Sequence, residues 1–78
     1  MPGLIHLRDI VAMLKKCAPG YGWARKDHYI QVSYKQKTYY TLPTGAHSSK
    51  GEIERGHVRK MAKHLEILEC AKSELPLD

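Results

Sequence analysis

Apolar residues recur at helical spacing near both ends of the chain and alternate with polar ones in between. From Leu7 to Ala18, the residues Leu7, Ile10, Val11, Leu14 and Ala18 share one side of a helix, while Arg8, Asp9, Lys15 and Lys16 take the other. That is the pattern of an amphipathic helix with one face to cover. Pro19-Gly20 ends it, because proline cannot donate the next helical hydrogen bond and glycine accepts a left-handed turn. No Ser, Thr, Asp or Asn directly precedes the pattern, so the expected N-cap is weak.

The alternating part comes next. Tyr21-Gly22-Trp23-Ala24-Arg25 reads as a first strand, with Trp23 toward the core. His28 to Tyr34 reads as a second, with Ile30 and Val32 on one face and Tyr29, Gln31 and Ser33 on the other. Lys35-Gln36-Lys37 is a polar break of hairpin length. Thr38-Tyr39-Tyr40-Thr41-Leu42 is β-branched and aromatic, hence a third strand, closed by Pro43-Thr44-Gly45. The simplest assembly is an antiparallel three-stranded meander.

A polar loop containing His47 leads to the second helical pattern. Ser49-Lys50-Gly51-Glu52 has capping-box spacing, and Gly56 interrupts the stretch beyond it. The expectation is a single turn around Glu52–Arg55 and a helix from His57 to about Lys72, since Pro76 bars further extension. Its apolar stripe, Val58, Met61, Ala62, Leu65 and Leu68, reads as core, with Arg59, Lys60 and Lys63 outward. Both helices need an apolar surface, and the sheet face bearing Ile30 and Val32 supplies one. The predicted fold class is α+β: an α-β-β-β-α sandwich with a three-stranded antiparallel sheet and both helices packed on one face. Residues 1–78 form a single domain, with a core at 7–70 and a C-terminal extension at 71–78.

Composition narrows the class. With 78 residues, 42% apolar and 27% charged, the chain is an ordinary small globular domain rather than a disordered one. No apolar run approaches the ~20 residues needed to cross a bilayer, so no membrane partner is expected. Met1-Pro2-Gly3-Leu4-Ile5-His6 does not read as a secretory signal, which makes cytoplasmic localisation the expectation. Cys17 and Cys70 have no CxxC spacing. Buried free thiols are expected of a cytosolic protein, with a disulfide as the alternative. They fall short of a zinc site.

The net charge of +5 is unevenly placed. Nine cations (Arg25, Lys26, Lys35, Lys37, Lys50, Arg55, Arg59, Lys60 and Lys63) face three acids between residues 25 and 63. From His64 onward, Lys72 alone faces Glu66, Glu69, Glu74 and Asp78. A basic centre suits a phosphate backbone, where each neutralised phosphate releases counterions, so a nucleic acid is the expected partner. A lysine-rich solvated surface is the plainer alternative.

Three motifs, in order, resemble the HicA-type mRNA interferase toxins of bacterial and phage toxin–antitoxin systems. Ile10-Val11-Ala12-Met13-Leu14-Lys15-Lys16 followed by Gly22-Trp23 is similar to the family's first helix and the start of its first strand. Arg25-Lys26-Asp27-His28-Tyr29-Ile30 falls where the family has a basic residue, a Gly-Ser pair and a histidine opening strand two. Glu52-Ile53-Glu54-Arg55-Gly56-His57-Val58-Arg59-Lys60-Met61 resembles the family's Glu-Leu-x-x-Gly-Thr-Leu-x-x-Ile start of the last helix. The resemblance covers residues 7–67. It implies a double-stranded-RNA-binding-like fold, RNA as substrate, His28 as the catalytic histidine, and a HicB-type antitoxin that occludes the site. The chain departs from the pattern where Lys26-Asp27 replaces Gly-Ser and His57 replaces threonine, and its tail beyond Ile67 is extended.

RNA can be cut without a metal or a small-molecule cofactor, because its own 2′-hydroxyl attacks the adjacent phosphate. The protein need only move two protons and steady the phosphorane. Histidine suits the proton steps, its unperturbed pKa being about 6.5. His28 is therefore the expected catalyst, with Arg25, Lys26 and Lys37 on the phosphate and His47 as a candidate second acid or base from its loop. Strand alternation sets His28 on the face of Ile30 and Val32, so it can act only where the helices stop short of it; otherwise it is a core histidine. Asp27 reads as a surface turn residue, His57 as a helix-start residue, and His6 and His64 have no constellation around them. Tyr29, Tyr39 and Tyr40 can stack on splayed bases or serve simply as strand residues. The function expected from all this is metal-independent endoribonuclease activity. A non-catalytic nucleic-acid-binding module or phage regulator on the same fold is the first alternative. A protein-interaction adaptor whose basic face meets an acidic partner is the second.

Overall fold

The computed structural model describes residues 3–44 and 51–77. The expected plan is present. Strands β2 (Gly22–Arg25), β3 (Tyr29–Tyr34) and β4 (Lys37–Pro43) form an antiparallel sheet in the order β2-β3-β4. Helices α1 (Leu7–Cys17) and α2 (Arg55–His64) pack against it, and α3 (Leu68–Glu74) packs on those two helices. Ile30, Val32 and Leu42 from the sheet join Ile10, Met13, Leu14, Val58, Met61 and Ala62 from the helices in one buried cluster. Trp23 packs half-buried against the same cluster, as its strand position predicted.

Two short strands were not expected. β1 (Leu4–His6) pairs antiparallel with β5 (Glu52–Glu54), Ile5 opposite Ile53, and both isoleucines are buried. The turn predicted at Glu52–Arg55 is thus a strand, and α2 begins at Arg55 rather than at His57. Ser49 and Lys50 of the proposed capping box lie outside the described residues. Each strand runs straight into a helix, and the ribbon serves both helix starts. The Leu7 N–H donates to the Gly51 carbonyl at 3.0 Å, and the Arg55 N–H donates to the Gly3 carbonyl. These are the first N–H groups of α1 and α2, which have no partner within their own helices. The N-cap of α1 is also stronger than expected, because His6 Nδ1 accepts from the Arg8 N–H at 3.2 Å.

The last helix is broken where the sequence pattern reads as continuous. Past α2, the Glu66 N–H donates to the Lys63 carbonyl at 3.1 Å and the Ile67 N–H to the Ala62 carbonyl at 2.9 Å. This paired bonding is a Schellman motif, with Glu66 at the left-handed position (φ 62°) that glycine usually fills. The apolar stripe carries on through Leu68, so periodicity gave no sign of the break. The chain turns here and lays α3 against both α1 and α2. Cys70 thereby meets Cys17 at a Cα separation of 5.7 Å, and the two form a disulfide. This corrects the expectation of buried free thiols: Cys17 is half-buried and Cys70 exposed. An ion pair from Lys16 to Glu74 (3.4 Å) joins the same two helices. Among the described residues no helix is long and apolar enough to cross a membrane.

Candidate functional site

The strand ladder begins at Tyr29, one residue later than expected. Arg25 pairs with Ile30, the Lys26 N–H donates to the Tyr29 carbonyl at 2.8 Å, and the chain reverses through Asp27 and His28. His28 is therefore a turn residue, outside the pleat that would have pointed it toward Ile30 and Val32. Its side chain is exposed, clear of the helices. The conflict between catalysis and burial does not arise.

Arg25, Lys26, Asp27, His28 and Tyr29 together line a shallow surface depression. All five are exposed, and neither Arg25 nor Lys26 forms an ion pair among the described residues. An imidazole, a guanidinium, an ammonium, a phenol and one carboxylate thus share a small open surface. Such a set can receive a phosphate and exchange a proton with it. Among the described residues no group of three or more His, Cys, Asp or Glu is placed to hold a metal ion.

The other expected site residues are distributed differently. Lys37 is the partner of Tyr34, at the opposite end of β3 from His28, roughly 17 Å along a strand of this length. There its Nζ pairs with the Glu66 carboxylate at 3.1 Å. The hairpin therefore carries Lys37 away from the depression rather than toward it. Lys35, beside it in the turn, lies over the Tyr34 ring with its Nζ 5.3 Å from the centroid. Tyr39 is half-buried against the core, its ring 5.8 Å from that of His64. His47 lies outside the described residues.

Two histidines without a constellation in the sequence have contacts in the fold: His6 caps α1 and His64 packs on Tyr39. Neither lines the depression. The signal for His6 was its place directly before the first apolar-periodic residue, since an imidazole nitrogen can accept from the backbone as a hydroxyl does.

No protein-family model, curated protein or solved structure matches the chain.

Proposed function

We propose that the protein is a HicA-like RNA-binding protein that cleaves RNA without a metal, using His28 for proton transfer and Arg25 and Lys26 to hold the scissile phosphate. The observation that carries this reading is the exposed position of His28 in the β2–β3 turn, beside cations that form no ion pair among the described residues. In the proposed step the 2′-hydroxyl loses its proton to a base as its oxygen attacks phosphorus. The 5′-oxygen leaves with a proton, and a cyclic phosphate remains. The two cations offset charge on the phosphorane, where a preformed positive environment contributes most. A partner of HicB type would inhibit by covering this turn.

The test is cleavage of RNA in EDTA by the wild type and by His28→Ala. A positioned acid or base contributes about 10²–10⁴-fold, so the variant should lose that much rate while keeping its unfolding temperature. Full activity in His28→Ala would remove the residue from the mechanism. A specific observation also favours a second reading, a nucleic-acid-binding module without cleavage. Among the described residues of the depression, His28 is the single imidazole, whereas the reaction has two proton steps. Salt-sensitive RNA binding by a wild type that never cleaves would establish that reading.

A further inference from the structure

We propose that the uncovered face of the three-stranded sheet is a base-stacking platform for single-stranded RNA, with Tyr29 and Tyr40 as its two rings. This rests on the RNA-binding reading and specifies the form of RNA and where its bases lie.

The helices cover the face bearing Ile30 and Val32, so Tyr29, Gln31 and Ser33 point the other way. On β4 the decisive feature is an irregularity of register. Ile30 pairs with Leu42 and Val32 with Tyr39, so two intervening residues, Tyr40 and Thr41, stand opposite the single Gln31. This bulge lets Tyr39 and Leu42 both reach the core although they are three positions apart, an offset that would put them on opposite faces of a regular strand. It also turns Tyr40 outward. Tyr40 is 58% exposed and Tyr29 37% exposed; with Leu4 on β1 (45%) they are the exposed large hydrophobic residues among those described, and the two tyrosines are the aromatic ones.

The open face on the β2 side of the two rings is low and uncharged. Gly22 and Ala24 on β2 pair with Ser33 and Gln31 on β3. A Cβ at position 22 would collide with the Ser33 hydroxyl, so the surface there stays flat. Tyr29 and Tyr40 sit on adjacent strands, offset by about two residues, which is the diagonal relation with a separation of about 7–8 Å. That is about twice the 3.4 Å rise per nucleotide of a stacked strand, so two bases drawn apart from each other can each find a ring. His28 is the chain neighbour of Tyr29, and a base on Tyr29 therefore carries its phosphate toward Arg25, Lys26 and His28.

The same features disfavour a duplex. Its bases are stacked on one another, and it meets proteins through its phosphates and 2′-hydroxyls. A face whose strands present Tyr29, Gln31, Ser33 and Tyr40, with the cations at its two ends, answers to bases rather than to a phosphate backbone.

The test uses fluorescence anisotropy with a short 2′-O-methyl oligouridine, which cannot be cut by 2′-oxygen attack, and a 2′-O-methyl duplex of the same length. The single strand should bind more tightly. Tyr29→Ala and Tyr40→Ala should each weaken it by at least about fivefold, the lower end of what loss of a base–aromatic stack does. Tyr29→Phe and Tyr40→Phe should stay within about twofold of wild type, since a phenyl ring stacks as well. The Tyr40→Ala unfolding temperature should be unchanged because that side chain is largely exposed, and Tyr29→Ala, whose ring is more covered, is measured well below its own Tm. Alanine variants that bind like wild type, phenylalanine variants that lose as much as alanine, or a duplex that binds equally well would each overturn the platform and leave the RNA-binding reading standing. No binding of either RNA by the wild type would overturn both.

Discussion

The two ends of the sheet are both basic in sequence and behave as opposites in the fold. At the β2–β3 turn, Arg25 and Lys26 flank His28 in the open, with no ion pair among the described residues. At the β3–β4 turn, Lys37 is paired with Glu66 and Lys35 leans on Tyr34. That far end also borders the turn between α2 and α3 that leads to the disulfide, and a surface cleft there is lined by Tyr34, Lys35, Lys63, Glu66, Cys17 and Cys70. One end is held together and the other is left available. Charge density alone does not distinguish a binding surface from a fastening; whether the acids of the chain reach the cations does. The acidic C-terminal stretch supplies those acids, with Glu66 on Lys37 and Glu74 on Lys16.

The largest test of this contrast is at the fastened end. Replacing both Cys17 and Cys70 with serine removes a crosslink between residues 53 apart, for which loop-closure entropy gives about 4 kcal/mol and measured disulfides about 2–4. Thermal unfolding followed by circular dichroism should show Tm lowered by roughly 10–25 °C for a domain of this size, and reduction of the wild type should do the same. RNA binding well below that Tm should survive, since the open end is far from the bridge. A double variant that folds normally but no longer binds RNA would erase the division between the two ends.

A second experiment compares the cations directly. The double substitution Arg25→Ala, Lys26→Ala should reduce the dependence of log K on log salt for single-stranded RNA by about 1.4, two phosphate contacts at about 0.7 each. Lys37→Ala, measured beside it, should leave that slope alone. An equal loss from Lys37→Ala would mean that the ion pair with Glu66 opens on binding and that both ends contact the strand.

The smallest expected effect sharpens the account of the break after α2. Glu66 holds a left-handed conformation that is unfavourable by about 1–2 kcal/mol for a residue with a Cβ. Its ion pair with Lys37 is largely exposed and contributes less, about 0–1 kcal/mol. Glu66→Gly should therefore stabilise the protein by up to about 1 kcal/mol, after allowing for the greater freedom of glycine in the unfolded chain. A fall in Tm would show that the Lys37 contact outweighs the backbone strain.

Much of the plan was legible in local pattern. The helical stripe from Leu7 to Ala18, the alternation around Ile30 and Val32, and the Pro19-Gly20 and Lys35-Gln36 breaks placed α1, β2, β3 and β4 to within a residue or two. Each of those signals is a relation between residues a few positions apart, which is the range over which period and turn chemistry act. The candidate site was legible as a set of residues in one stretch, Arg25 to Tyr29, but not as a turn. One residue of strand assignment decided whether His28 faced the core or water, because side-chain direction reverses at every step of a strand.

Apolar spacing and residue type were thus enough to settle the fold class and to name the residues available for chemistry. Packing in three dimensions supplied everything else. The β1–β5 ribbon has three residues a side, too short for any periodic signal, and exists because Ile5 and Ile53 meet in the core. The break at Glu66 carries a glutamate where a glycine would have announced it. The pairings of Cys17 with Cys70 and of Lys37 with Glu66 join residues distant in the chain, and nothing in local chemistry could choose those partners before the helices were packed.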